Sequence, residues 1–127
     1  MIIAIDFDGT CVEHKYPEVG SDLPGCVETL KELISLGHKI VLNTMRSHPQ
    51  SPRQKDTLTV ALKWFEDRGI ALSGINSSPG QWIWTASPKI YANLYIDDAA
   101  LGCPLDSSGN VDWKEVRNLL GLEEIKE

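Results

Sequence analysis

Residues Met1-Ile2-Ile3-Ala4-Ile5-Asp6-Phe7-Asp8-Gly9-Thr10 carry the reading that decides the fold. Ile2 to Ile5 form an unbroken apolar run, without the polar alternation of a strand wetted on one side. Such runs suit strands buried on both faces of a parallel sheet. The run stops at Asp6 and Asp8. Residues two apart on an extended chain share a face, so the two carboxylates point one way and Phe7 the other. Gly9 then lets the backbone turn sharply.

Outward from this stretch, strand and helix alternate. Residues 11–23 are polar, contain Pro17 and Gly20, and read as a loop. Pro24 suits a first helical turn, Val27, Leu30, Leu33 and Ile34 follow at helical spacing, and Gly37 ends the helix. Lys39 to Thr44 reads as the second strand. Ser51 and Gln54 predict a capping box with Pro52 at the first helical position. Leu58, Ala61, Leu62 and Phe65 make that helix's core stripe, Val60 and Trp64 lie roughly opposite, and Gly69 terminates it. Ile70 to Ile75 is a third strand, and residues 76–87 form a loop carrying Trp82 and Trp84. Ser87-Pro88 starts a short helix before the last strand, Asn93 to Ile96. Gly109-Asn110 predicts a small hairpin. Asp112 with Glu115 caps a final helix through Trp113, Val116, Leu119 and Leu120. Strands separated by helices imply βαβ units, hence an α/β domain with a parallel sheet and helices on both faces.

The 127 residues suit one domain over 1–127. No apolar run approaches the roughly 18–20 residues that span a membrane. With 12 Lys and Arg against 18 Asp and Glu, the net charge of −6 disfavours nucleic acid as a non-specific partner. A phosphorylated substrate is compatible with it, because a bound cation supplies positive charge locally. Cys11, Cys26 and Cys103 are odd in number and lack metal-type spacing, so they read as reduced thiols of a cytoplasmic protein.

Three predicted strands end in polar residues: Asp6 and Asp8, Thr44 and Arg46, and Asp97 and Asp98. In an open parallel sheet the carboxyl ends of the strands share one edge, and ligands bind there. Residues distant in sequence therefore converge. One Asp at a strand end is ordinarily a turn former or a cap; four in one crevice repel unless a cation lies among them. Oxygen donors without His or Cys suit a hard ion, with Mg2+ the first choice. His14, Lys15 and His48 fall on loops at the same edge and read as solvated residues.

The chain resembles the haloacid dehalogenase (HAD) superfamily of aspartate-based phosphohydrolases. Asp6-Phe7-Asp8-Gly9-Thr10 matches that family's first motif, DxDx(T/V). Thr44 closing the second strand matches the second motif, Lys89 in Ser87-Pro88-Lys89 the third, and Asp97-Asp98 after an apolar strand the fourth. The resemblance covers nearly the whole chain. It implies a three-layer α/β/α, Rossmann-like HAD fold. Residues 11–23 and 45–88 are too few for an inserted cap, so a capless core is expected.

What the resemblance implies chemically is hydrolysis of a phosphate monoester through an aspartyl phosphate. Asp6 would be the nucleophile, and Asp8 the general acid and then the base. Thr44 would bind a phosphoryl oxygen and Lys89 would neutralise charge. Mg2+ would be held by Asp6, the backbone carbonyl of Asp8 and Asp98, with Asp97 acting through water. Gly9, Thr10, Asn43 and Arg46 complete the expected substrate-binding set, Arg46 as a bidentate phosphate partner. An open site suits a bulky phosphorylated substrate; closed by a neighbouring subunit in a homo-oligomer, it suits a small metabolite. Alternatives are a non-catalytic phosphate-binding module on the same fold and a phosphotransferase using the same intermediate. A receiver-type phosphoacceptor domain fits poorly, because its acidic pair follows the first strand.

Overall fold

The computed structural model describes residues 1–126. Strands β1 (Ile2–Ile5), β2 (Lys39–Leu42), β3 (Leu72–Ile75) and β4 (Leu94–Ile96) form one sheet in the order β3-β2-β1-β4. Every neighbouring pair is parallel, with Ile3 beside both Ile40 and Leu94. The chain steps outward from β1 to β3 and then returns to the far side of β1. The carboxyl ends of β1 and β4 therefore flank the point where strand order reverses, the usual ligand crevice of an α/β sheet.

Helices α1 (Cys26–Ser35), α2 (Thr59–Asp67) and α3 (Trp113–Leu119) all contribute to one core. Alternation along β1 explains why. Ile3, Ile5 and Phe7 enter that core, whereas Ala4 faces the other side with Val41 and Ile90. Helices were expected on both faces, but among the described residues the second face carries no α-helix. Its layer is the β3–β4 crossover, residues 76–93, with one 3-10 turn at Gln81–Ile83. The short helix expected from Ser87 does not form. Buried Gln81 organises the segment instead. Gln81 accepts from the Ser78 and Tyr91 amides and donates to the Lys89 carbonyl at 2.6 Å.

Two further expectations shift. Helix α2 starts at Thr59 with Leu58 at its N-cap, and Asp56 rather than Ser51 holds that end, accepting from the Leu58 and Thr59 amides. Trp64 is buried, edge-on to Phe7 and Phe65, with its indole N–H on Asp22 at 2.8 Å. In α3, Asp112 caps as expected, but Leu119 is exposed. Leu105 and Val111 make the small antiparallel bridge around Gly109-Asn110. Among the described residues no helix is long and apolar enough to cross a membrane.

Candidate active site

The loop after β1 winds around one carbonyl: the amides of Thr10 and Cys11 both reach the Phe7 carbonyl. Gly9 sits at φ +82, and a Cβ there would lie 2.5 Å from Asp98 Oδ2. Glycine is therefore required twice, for the turn and for the approach of Asp98. Distant residues brace the loop. The Val111 amide donates to the Gly9 carbonyl, and the Trp113 indole donates to the Thr10 carbonyl at 2.6 Å.

This loop brings Asp6 to Asp97 and Asp98. One carboxylate oxygen from each lies within 4.8 Å of the others, the sole such grouping among the described residues. Burial, a hydrogen bond with Asp98 and the charge of Asp97 push Asp6 up to about 8 from an ordinary 3.8. Thr10 ties two of the three together. Its hydroxyl lies 3.1 Å from Asp6 Oδ2 and accepts the Asp98 amide. An all-oxygen cluster whose carboxylates resist joint ionisation fits a small hard cation such as Mg2+. Asp98 faces Asp6 directly, while Asp97 also accepts the amide of Ala99 in a local turn.

Asp8 stands apart. Its carboxylate is gripped by Arg46, with Nε to Oδ2 and Nη2 to Oδ1 both at 2.8 Å. Arg46 is wholly buried. Its remaining donors reach the carbonyls of Pro17, Glu18 and Thr57. The guanidinium also lies 5.2 Å from the rings of Phe7 and Tyr16. All five N–H groups are used, so Arg46 is not the phosphate ligand expected from its place after Thr44.

Other expected site residues divide. Thr44 lines a cleft of about 400 Å³ with Asp6, Asp8, Asp97 and Asp98; His14, Tyr16 and Met45 stand at its mouth. Thr44 is held by Asn76, whose side chain accepts the Thr44 amide at 2.8 Å from a left-handed turn at φ 52. Asn43 donates its amide to the Ile5 carbonyl, extending the sheet ladder, and does not line the cleft. Gly9 spends its amide on the Val12 carbonyl, and Thr10 is fully buried; both shape the site from beneath instead of facing substrate. Lys89 is exposed, its ammonium 5.8 Å from the centre of the Tyr95 ring. Tyr95 pairs with Ala4, two residues short of Asp6. Lys15 and His48 lie outside the cleft, His48 beside Asp56. A larger groove, about 760 Å³ between the start of α1 and α3, contains none of these residues.

Asn76 and Trp113 were not among the candidates. Asn76 directly follows a strand and could have been found by that position. Trp113 reads only as a core residue of its helix, because nothing local signals its bond to Thr10.

A solved structure of a conserved protein from Bacteroides thetaiotaomicron is similar to this chain. The two are 34% identical with a TM-score of 0.76, over 95% of this chain and 89% of that one. No protein-family model matches the chain, and no curated protein does.

Proposed function

The chain belongs to one family with that conserved Bacteroides thetaiotaomicron protein, and from its site we propose a magnesium-dependent, capless phosphatase of the haloacid dehalogenase type. It hydrolyses a phosphate monoester through an aspartyl phosphate on Asp6. The observation that carries this reading is the meeting of Asp6, Asp97 and Asp98 at the switch point of a parallel sheet.

Asp6 attacks phosphorus; an Asp6 Oδ–P bond forms as the bond from phosphorus to the leaving oxygen breaks. A carboxylate suits this step because it is nucleophilic without losing a proton, and its acyl phosphate hydrolyses readily. Asp8, on the same cleft, serves as acid once its carboxyl has left the Arg46 pair and taken up a proton, which it gives to the leaving oxygen. It then takes a proton from the water that attacks phosphorus and frees Asp6. Thr44 offers its hydroxyl to a phosphoryl oxygen. Lys89 does not line the cleft, and its part in neutralising the transferring group requires that it leave the Tyr95 ring. Mg2+ would be held by Asp6, Asp98 and the Asp8 backbone carbonyl, with Asp97 acting through water, and would supply the positive charge that keeps Asp6 ionised beside its acidic neighbours.

The test is phosphate release from 4-nitrophenyl phosphate and from a panel of phosphorylated metabolites, with and without magnesium. Turnover that needs magnesium and disappears in Asp6→Asn supports the reading. Turnover that survives in Asp6→Asn contradicts it.

A further inference from the structure

We propose that the leaving alcohol of the substrate is small, uncharged and built on an aromatic ring, held at the mouth of the cleft between Tyr16 and Met45. The inference rests on the phosphatase reading above and deepens it by naming the class of phosphate monoester.

Three observations carry it. The first is Met45. It lies between two residues that the fold holds fast: the Thr44 amide is bound by the Asn76 side chain, and Arg46 is wholly buried. Yet Met45 is 93% exposed and lines the cleft. An apolar side chain set in solvent beside a phosphoryl-binding hydroxyl does nothing for the core. Its unbranched, polarisable thioether suits contact with an aromatic ring. The second is Tyr16. The Arg46 guanidinium lies over its ring at 5.2 Å, while the residue stays half-exposed and lines the same cleft. A ring already fixed by its neighbour can stack on another with little further loss of freedom. Tyr16 belongs to the loop after β1 and Met45 to the loop after β2, so they approach the mouth on separate segments.

The third observation is charge. Asp6, Asp8, Asp97 and Asp98 line the cleft, against one basic side chain, His14. Arg46 spends its fork on Asp8 and its other donors on backbone carbonyls. Lys15 and Lys89 lie outside the lining. A bound cation answers the phosphoryl group, but a second anion on the alcohol would meet carboxylates without a counter-charge. The cleft, about 400 Å³, lies near the lower end of the roughly 300–1,000 Å³ of small-molecule sites, which suits one ring better than a polymer.

The test compares four phosphate esters with magnesium present: benzyl, cyclohexylmethyl, 4-carboxybenzyl and ethyl. Each releases a primary alkoxide, so the comparison reads contacts to the alcohol and not its ease of departure. Benzyl phosphate should exceed ethyl phosphate by about 30-fold in kcat/KM, mainly through KM, with cyclohexylmethyl between them and 4-carboxybenzyl near ethyl. Met45→Ala and Tyr16→Ala should each cut the benzyl-over-ethyl preference to about fivefold. Tyr16→Phe, which keeps the ring, should restore it. Met45→Ala removes only exposed surface, and circular dichroism checks the fold of Tyr16→Ala; general damage to the protein would lower activity on both esters and leave their ratio unchanged.

Benzyl and ethyl phosphate used alike by wild type, or a preference unchanged in both alanine variants, would overturn the proposal and leave the phosphatase reading intact. So would a cyclohexylmethyl or 4-carboxybenzyl ester used as well as the benzyl one. Wild-type protein inactive on all four esters would overturn the reading itself, and the proposal with it.

Discussion

Asp6 and Asp8 are two residues apart on one loop, yet their electrostatic surroundings are opposite. Asp6 faces two more carboxylates and is pushed up to about 8. Asp8 faces a buried guanidinium that neutralises it. The contrast teaches that one short motif can make two different carboxylates when distant chain segments supply their neighbours. The acidic pair after β4 surrounds the first; Arg46, just beyond β2, pairs the second. A cation is needed in the first environment and already present in the second.

The comparison breaks most visibly at Asp6 itself. Asp6→Asn should lower kcat by at least ~10⁴-fold, because the proposed phosphoryl intermediate forms on its carboxylate. Steady-state phosphate release checks this. Magnesium binding, followed by calorimetry, sharpens the cluster next. Asp98→Asn should weaken it by ~100-fold and Asp97→Asn by about tenfold, since Asp98 faces Asp6 while Asp97 is engaged with the Ala99 amide. Equal losses would show that the two aspartates serve alike.

The pH dependence of stability probes the same contrast without turnover. Asp6 holds its proton to about 8 in the folded protein, against 3.8 for an ordinary aspartate. Its contribution to stability is therefore fully present below the lower value and lost as pH rises through the higher one. The metal-free protein should melt at progressively lower temperature across that window. Saturating magnesium should flatten the curve, and so should Asp6→Asn. The smallest expected effect is structural. Trp113→Phe leaves the buried Thr10 carbonyl without its donor and should cost about 1–3 kcal/mol in denaturant unfolding.

The architecture was legible where patterns are local. The apolar run Ile2–Ile5, the cap at Asp112 and the acidic residues ending β1 and β4 all lie where periodicity and strand-end chemistry place them. Arg46 was misread because its position after Thr44 indicates proximity to the cleft but not the direction of its side chain. That direction depends on carbonyls contributed by residues 17, 18 and 57. Trp64 was placed off the core stripe because a helical wheel fixes only the width of the apolar arc, and packing on Phe7 turned that arc toward it. The cap of α2 was assigned to Ser51 because two residues with capping chemistry compete there, and Asp56 binds the amides that begin the helix. The short helix expected from Ser87-Pro88 is absent because the Lys89 carbonyl and the Tyr91 amide bond Gln81 instead of helical neighbours, a contact that no local signal announces.

Phosphorylation of Asp6 is the central claim, and trapping it is the most direct test. Asp8→Asn protein, which lacks the base for the second step, would be mixed with 4-nitrophenyl phosphate and magnesium, quenched in acid and digested for mass spectrometry. The account predicts one added phosphoryl group on the peptide containing Asp6, absent when Asp6 is also replaced by Asn. Steady turnover by wild type with no phosphoryl group on that peptide, or with the group on another residue, would contradict it.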